Sequence, residues 1–529
     1  MKVSRKVLIV LVSVVFIVLD IWNGNTYNFM KVESMVYLSG FILLIAGILL
    51  LNRNDYKKFI KLFSGMALFF AIVFVLGGLM SSRMINAKKY ANVIGTIEQV
   101  EFSDLYGKDH TVEMSYVDKD SALLSAEKKI GELSDVSSMF DINNRDFSQI
   151  NYKGEMVRVA PFKYSSPIKQ LLNLNKGVPY YVMVQTGSGN TNAKAEIITL
   201  KQPMKYYPGA PLHYNLKRHV AFNHKFSYLG GWNFEVNDEG HPYWIVSTLT
   251  KEVGLWGAQN VKSIIVVDAV SGESKNYKID DVPEWVDLVY PTPMLLSHAK
   301  DHYSLSKGYI NSKMQQVGVK VIDQDNGTYN YVSIDDEIYV FTGIRPISLD
   351  EGSTTGLLFM STKTGKALSL DLPGISLTTA EATSIGSIQE KNYVPTTPVL
   401  QNVGGYPTYV MSLKDQSGVI RGFSMVDYQD YTKSSVGSTI KEVEKTYLAL
   451  HADSDTLLPE DSQELTITIT EIKQVQIEGN TFYYLMVEES DEIYNVSLSL
   501  DDKLPFYKAN DRLKVKVNGN KIIEILEED

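Results

Sequence analysis

The chain has 529 residues, a net charge of -10 and no cysteine. The absence of cysteine excludes cysteine nucleophiles, CxxC redox chemistry and thiolate zinc sites. It also favours a bacterial surface protein over a eukaryotic secreted protein that depends on disulfides. The negative charge argues against nucleic acid as a partner, because phosphate backbones attract cationic surfaces.

Three apolar stretches occur near the N-terminus, at Val7 to Leu19, Ser34 to Asn52 and Leu62 to Ser82. The second and third have about 19 to 21 residues, enough for a helix to cross a hydrocarbon core of roughly 30 Å. We therefore predict three transmembrane helices within residues 1–82, in contact with membrane lipid. One large water-soluble portion follows them.

The flanking cations predict the orientation of this anchor. The loop between the first two stretches holds one lysine, Lys31. The cations on the other side are Lys2, Arg5, Lys6, Arg53, Lys57, Lys58 and Lys61. The positive-inside rule then places the N-terminus in the cytoplasm and the large portion outside the membrane. No small-x-small cleavage site follows the first stretch, so we predict that it remains as an uncleaved anchor.

The water-soluble portion alternates short helical patterns with strand pairs, which predicts an α+β fold. Four strand pairs recur, over residues 177–200, 240–268, 336–361 and 405–427. Helical patterns precede several of them, at Pro167 to Leu174, Leu212 to Phe226 and Thr378 to Gln389. Because an isolated hairpin is only marginally stable, each pair needs a covering element. We predict four tandem modules at 83–200, 201–290, 291–372 and 373–437.

The C-terminal hundred residues have a different pattern. A capped helix from Ser438 to Leu450 leads into an acidic loop, so residues 438–464 are predicted to be a helix and a linker. Five strand patterns follow within residues 465–529, with hairpin turns at Glu478-Gly-Asn and Asn518-Gly-Asn. They predict a small β-barrel, OB-like or SH3-like. The segment is acidic, which argues against the basic groove of a nucleic-acid binder.

The second module carries a resemblance to a known family. A helical pattern is followed by strands, the second of which ends in Val-Val-Asp-Ala-Val-Ser-Gly-Glu at Val266 to Glu273. This arrangement resembles the PepSY module of bacterial envelope proteins. The resemblance is clearest over residues 212–279 and looser over 375–430. It implies a binding or inhibitory role between proteins.

Aromatic residues supply the candidate binding surface. Five of them gather within the second module: Tyr206, Tyr207, Trp232, Tyr243 and Trp244. Tyrosine and tryptophan are common at the energetic centres of interfaces. The alternative is that they pack in the core of the hairpin, since tyrosine is also favoured in strands.

No catalytic motif is evident, because the chain lacks a GxSxG elbow, a Walker loop and an HExxH pair. His298 and His302 have the i, i+4 spacing of two metal ligands on a helix, but no third ligand is identifiable. Glu284 and Asp287, beside Trp285, would share a face only on a helix, where they could serve glycoside chemistry or bind Ca²⁺. We predict no cofactor and no metal site, and a histidine group at His213, His219 and His224 with structural roles.

These features favour a membrane-anchored, non-catalytic component of the bacterial cell envelope that binds, scaffolds or regulates an envelope protein. One alternative is a subunit of a larger membrane complex. The other is an envelope hydrolase that acts on wall polymer or peptide. The sequence leaves the oligomeric state open.

Overall fold

The computed structural model is a mixed fold of helices and sheets. It describes residues 5–50, 56–107, 112–142, 144–187, 194–323, 329–347, 352–387, 392–452, 463–477, 480–488, 490, 492–498, 500–501, 503–518 and 520–526. The described chain divides into two compact units, Met1–Val443 and Glu444–Asp529.

The helices have the following bounds: α1 Arg5–Asn23, α2 Val32–Leu50, α3 Tyr56–Met80, α4 Arg83–Ala91, α5 Phe102–Tyr106, α6 Lys119–Gly131, α7 Ser134–Met139, α8 Pro167–Leu172, α9 Leu216–Asn223, α10 Thr292–Leu305, α11 Tyr309–Lys313, α12 Leu377–Ser387 and α13 Ile440–Ala452.

The strands have the following bounds: β1 Ile97–Val100, β2 Val112–Met114, β3 Phe140–Asp141, β4 Ser148–Tyr152, β5 Glu155–Pro161, β6 Lys163–Tyr164, β7 Val178–Gln185, β8 Ala195–Met204, β9 Leu229–Val236, β10 Pro242–Lys251, β11 Gln259–Asp268, β12 Ser274–Lys278, β13 Lys320–Ile322, β14 Asn330–Ile334, β15 Glu337–Pro346, β16 Ser353–Thr354, β17 Gly356–Ser361, β18 Ala367–Leu370, β19 Gly374–Ile375, β20 Val394–Pro395, β21 Val399–Val403, β22 Tyr406–Lys414, β23 Ile420–Asp427, β24 Ser434–Gly437, β25 Gln463–Ile477, β26 Asn480–Val487, β27 Ile493–Ser497, β28 Arg512–Asn518 and β29 Lys521–Leu526.

Two N-terminal helices are long and apolar enough to cross a membrane. Their candidate spans are Lys6–Asn23 and Phe63–Met80, while the apolar part of α2 is shorter, at Val32–Ile48. The second predicted stretch, Ser34 to Asn52, continues past residue 50 into residues outside the described part. A membrane span at this stretch therefore stays a prediction. The Phe16 ring joins α1 to α2, since it lies 4.7 Å from the ring of Tyr37 and 3.8 Å from that of Phe41.

The end of α1, the loop before α2 and the end of α3 all contact the folded portion that follows them. Lys225 Nζ lies 2.8 Å from Asp20 Oδ2, and the Tyr27 amide donates to the Lys225 carbonyl at 2.8 Å. Trp256 donates from Nε1 to the Phe29 carbonyl at 3.1 Å. The end of α1 and the loop before α2 are therefore packed against the folded portion.

The first two predicted hairpins belong to two four-stranded antiparallel sheets. Their strand orders are β4-β5-β7-β8 and β12-β11-β10-β9. In the second sheet β10 lies between β9 and β11, and its residues from Trp244 to Leu249 are buried. The predicted helix before it is broken: Leu212–Tyr214 forms a 3-10 turn, and α9 begins only at Leu216. Asn215 causes this break, because its extended backbone lets its side chain accept from the Arg218 amide and cap α9.

The third predicted hairpin lies in a seven-stranded sheet of order β1-β18-β17-β15-β14-β2, with β13 also paired to β15. Here the structure differs from the predicted division into modules. β1 pairs in parallel with β18, from Ile97 opposite Ala367 to Val100 opposite Leu370, and β2 pairs with β14. Strands that were assigned to the first module thus complete the sheet of the third, since a parallel pair needs a long crossover.

The fourth predicted hairpin forms a five-stranded sheet. Its order is β20-β22-β23-β24, with β21 also paired to β22. The buried side chains Tyr409 and Phe423 lie within β22 and β23. Ser384 of α12 is buried and lies 2.8 Å from the Ser424 hydroxyl of β23, so this helix covers the sheet.

The C-terminal unit is built on the five predicted strands. They pair in the cyclic order β25-β26-β27-β29-β28, and the ring closes through one parallel residue pair, Asn495 opposite Lys521. Fully buried side chains fill its interior, including Ile469, Leu485 and Val515. The boundary between the units falls at residue 443, inside α13. Most of the predicted linker, at residues 453–462, lies outside the described part.

Candidate functional site

A polar cleft of about 470 Å³ lies beside α4, where the chain leaves α3. Its walls come from α4, β9, β10, the turn after β10 and α10, and its lining includes Lys251, Trp256, Met294 and Ser297. The volume falls within the range of ligand pockets, ~300 to 1,000 Å³. The cleft is therefore a candidate binding site.

Two glycines of β9 make room for the cleft. A Cβ on Gly231 would lie 2.8 Å from Cγ of Pro291, and one on Gly230 would lie 2.7 Å from Cγ of Leu249. Larger side chains at either position would push these walls apart. The cleft therefore depends on the Gly-Gly pair at the start of β9.

An ion pair closes one side of the cleft. Arg83 donates from Nε to Asp301 Oδ1 at 2.7 Å and from a terminal nitrogen to Oδ2 at 3.0 Å. The carboxylate raises the pKa of Arg83. The same guanidinium lies 4.9 Å from the ring centre of Tyr90. This two-point contact joins the chain just after the apolar helix α3 to α10, 218 residues later.

The two histidines at metal-ligand spacing, His298 and His302, both contact backbone carbonyls. His298 is buried, and its Nε2 lies 2.7 Å from the Gln259 carbonyl, while His302 Nδ1 lies 2.8 Å from the Ala91 carbonyl. Burial lowers the pKa of His298. Among the described residues, no group of three metal-ligating side chains occurs. The pair fastens α10 to two different segments, which is a structural arrangement.

The predicted aromatic surface is not one surface. Trp244 and Tyr207 are buried, and Trp244 Nε1 donates to the Tyr206 carbonyl at 3.0 Å. Tyr243 and Trp244 are neighbours on β10, so they point to opposite faces of the sheet. Trp232 is half-buried on β9 and lies opposite Val246. The grouping in sequence is therefore corrected, because strand alternation divides these side chains between faces.

The remaining aromatic contacts are internal as well. The Tyr206 ring lies 4.4 Å from the ring of His219, and the Tyr243 ring lies 4.8 Å from that of Trp285. His219 Nε2 also lies 2.6 Å from the Gly272 carbonyl, and His224 Nε2 lies 3.1 Å from the Ser274 hydroxyl. These histidines pack α9 onto the turn that carries the PepSY-like sequence.

The proposed pairing of Glu284 with Asp287 does not form. The 3-10 turn ends at Asp281, and Glu284 lies in a second turn that the Val286 amide closes by donating to the Pro283 carbonyl at 3.1 Å. Glu284 is exposed there, while Asp287 is 4% exposed. Asp287 Oδ2 instead accepts from the Asn151 amide at 2.7 Å. The condition for a shared face was a helix, and the structure has none there.

The partner of Asp287 is Glu235, a fully buried carboxyl group on β9. Its two oxygens accept from the amides of Asp287 at 2.9 Å and Leu288 at 3.1 Å. Burial raises the pKa of Glu235 to about 7, and burial together with the Glu235 charge raises that of Asp287 well above its usual value. The Thr362 hydroxyl donates to the Asp287 carbonyl at 3.0 Å. The pair thus sits where three sheets meet.

The sequence alone did not predict the buried carboxyl group of Glu235 or the ion pair of Arg83 with Asp301. Glu235 is the single carboxyl group in the strand Leu229–Val236, and a lone acid in an apolar strand is the available signal. The partnership of Arg83 with Asp301 has no local signal, because the two residues are far apart in the chain.

Comparisons with known proteins leave the family open. No family model and no curated protein matches the chain. A mutant of B. megaterium levansucrase has 9% identity over 85% of this chain and 96% of that one, with a TM-score of 0.16. A Synechocystis apocarotenoid oxygenase mutant has 11% identity over 73% of this chain and 64% of that one, with a TM-score of 0.12. Similarity at these scores supports no argument about fold or function.

Proposed function

We propose that the protein is a membrane-anchored, non-catalytic binding and scaffolding component of the bacterial cell envelope. The observation that carries this proposal is the position of the cleft. One of its walls is α4, which directly follows α3, and the others belong to the folded portion. A partner in the cleft would be held next to the membrane.

The charged groups that line the cleft suit recognition of a polar partner. The Arg83 guanidinium binds both oxygens of Asp301, and the buried His298 ring contacts a backbone carbonyl. Lys251 adds an amino group at the cleft, and burial lowers its pKa. A few polar groups in a pocket fix the orientation of what binds there.

The module identities form part of the proposal. Helix α9 and the antiparallel strands β9 to β12 have the order of elements expected of a PepSY-like module. In the turn after β11, the Asp268 carboxylate accepts from the amides of Val270 and Ser271. A PepSY-like module would suit an inhibitory or regulatory contact between proteins. The cyclic strand order of the C-terminal unit, with one parallel closing pair, supports an OB-like barrel.

The orientation is tested by labelling. The chain has no cysteine, so Val394→Cys places a single thiol on a side chain that is 52% exposed. In intact cells we expect this thiol to react with a membrane-impermeant maleimide. Labelling only after the cells are broken would place the large portion in the cytoplasm and contradict the envelope assignment.

The binding role is tested on the full-length protein in its membrane, by crosslinking and mass spectrometry. We expect a specific envelope protein whose crosslinks converge on the cleft. Ser297→Tyr fills the cleft from α10 and should lower the recovery of that partner at least tenfold. Lys300→Tyr adds the same side chain at an exposed position of α10 and should leave recovery unchanged. Equal recovery with both variants would contradict the role of the cleft.

A second candidate is a subunit of a larger membrane complex. At four glycines in the apolar helices, no other part of the protein comes within 4 Å of the place a Cβ would occupy, apart from the chain neighbours and the backbone of the same helix: Gly40, Gly47, Gly65 and Gly78. Small residues allow close approach of another membrane helix. Crosslinks that converge on these glycines, and that survive Ser297→Tyr, would favour this candidate.

A further inference from the structure

Three large apolar side chains are exposed on and beside α9. Phe222 is 80% exposed, Phe226 is 79% exposed and Leu212 is 56% exposed. We call them the α9 surface. Isolated apolar residues on a protein surface are ordinary, but a group of large ones marks a contact with a partner or a membrane.

Helix α9 and the residues just after it lie against the end of the first apolar helix. Besides the salt bridge between Lys225 and Asp20, the Arg218 guanidinium lies 4.5 Å from the ring centre of Trp22. Asn28 donates from its amide nitrogen to the Phe226 carbonyl at 3.0 Å. The contacts place α9 at the level where α1 ends.

A pocket of about 550 Å³ separates α9 from α1. Val18, Ile21 and Trp22 line one wall, while Leu212 and Phe222 line the other. The first wall belongs to a helix whose apolar side chains are mostly exposed, including Val18 at 57% and Ile21 at 56%. The same environment that covers those side chains therefore reaches the pocket and the α9 surface.

We propose that the α9 surface is immersed in the outer part of the lipid bilayer and that lipid acyl chains fill the pocket. The inference rests on the membrane anchor of the proposed function. Trp22, whose ring contacts Arg218 of α9, is 60% exposed, as expected for a tryptophan at the membrane–water boundary. Lys217 and Arg218, on the same helix, provide cations for lipid phosphates.

Immersion gives the folded portion a second attachment to the membrane. Without it, one side of α9 would leave two phenylalanines in water. With it, the portion after α3 is attached to the membrane through α9 as well as through α3. Lipid contact at α9 would therefore help to fix the orientation of the cleft relative to the membrane.

The test uses single cysteines in the full-length protein. Phe222→Cys is labelled with an environment-sensitive NBD dye and reconstituted into vesicles of phosphatidylcholine and phosphatidylglycerol that contain a spin-labelled lipid quencher. Phe69→Cys in α3 is the positive control, since Phe69 is 62% exposed on a candidate span. Val394→Cys on β20 is the negative control. We expect strong quenching at positions 69 and 222 and little at position 394.

Each other outcome has a distinct meaning. Quenching at position 69 with a signal at 222 equal to that at 394 would overturn the immersion of α9 and leave the anchor intact. A lack of quenching at position 69 would overturn the anchor itself, and the inference with it.

A second experiment tests whether the two phenylalanines, and not the attached dye, bring the α9 surface into the lipid. With the dye at Leu212→Cys, Phe222→Asp combined with Phe226→Asp should remove more than half of the quenching while the label at position 69 stays quenched. Unchanged quenching at position 212 would show that the two phenylalanines do not hold the surface in lipid, and would overturn the proposal.

Discussion

Arg83 is the first cation after the third apolar helix, and its guanidinium holds both oxygens of Asp301. The side chain of Asp301 is 9% exposed and that of Arg83 is 50% exposed, so water weakens the charge interaction from one side. The geometry favours arginine, because its planar fork matches a carboxylate in a way that the lysine ammonium does not.

Arg83→Lys is therefore expected to destabilise the protein by about 1–2 kcal/mol through loss of a charge-assisted hydrogen bond. The measurement is the thermal unfolding midpoint in detergent. Lys88→Arg on the same helix is the control, since it keeps the charge and lies outside this contact. Equal midpoints for Arg83→Lys and the wild-type protein would show that the fork contributes nothing.

The carboxyl pair of Glu235 and Asp287 predicts a pH dependence of stability. Burial raises both pKa values above those of the unfolded chain, that of Glu235 to about 7. A raised folded pKa means that the folded state binds the proton more tightly. Its contribution is therefore complete below about pH 4 and is lost as the pH rises through 7, by on the order of 3 kcal/mol for Glu235.

Asp287→Asn is expected to reduce this loss, because it removes the like charge beside Glu235 while its amide oxygen still accepts from Asn151. The measurement compares unfolding midpoints of the variant and the wild-type protein at pH 5 and pH 7.5. Glu381→Gln should remove a separate part of the loss, since burial also raises the pKa of Glu381 to about 7, on α12. A constant difference between Asp287→Asn and the wild-type protein across this range would contradict the assignment.

At the scale of elements, the turn after β10 packs closely against the end of α3. The Trp256 ring lies against Gly77, and it is held there because its amide donates to the Ser81 hydroxyl at 3.0 Å and its indole donates to Phe29. Phe74 stacks on the same ring at 5.5 Å. A rigid ring that is held at several points cannot easily move aside for a larger neighbour.

Gly77→Ala is expected to destabilise the protein by about 1–3 kcal/mol, because the new Cβ would clash with the Trp256 ring. Gly78→Ala is the matched control, since the next residue has open space and alanine is the better helix former. The measurement is the unfolding midpoint of both variants in one detergent. Equal effects would mean that the Trp256 contact does not form.

At the scale of the molecule, the chain separates into a larger N-terminal unit and a C-terminal unit with its own core. Leu485 is fully buried among the strands of the C-terminal unit, while Leu358 is fully buried in the seven-stranded sheet. Separate cores allow separate unfolding transitions. The two units therefore offer a matched pair of positions for testing independence.

Leu485→Ala is expected to lower the stability of the C-terminal unit by about 2–5 kcal/mol and to leave the transition of the larger unit in place. Leu358→Ala should do the reverse. Calorimetry of the full-length protein resolves the two transitions. A shift of both transitions by either variant would show that the units unfold as one.

Local patterns in the sequence determined several parts of this protein. The length and hydropathy of the N-terminal stretches predicted the apolar helices, and strand alternation with turn residues predicted the four strand pairs and the five C-terminal strands. These signals are local, because helix length, side-chain alternation and turn conformation depend on residues close together in the chain.

The tertiary structure alone decided which segments meet. It paired β1 with β18, joined Arg83 to Asp301, buried Glu235 beside Asp287 and divided the five aromatic residues between sheet faces. It also created the cleft, whose walls come from segments more than a hundred residues apart. The physical reason is that packing and pairing between distant segments depend on the whole chain, so a single sequence holds no local pattern that records them.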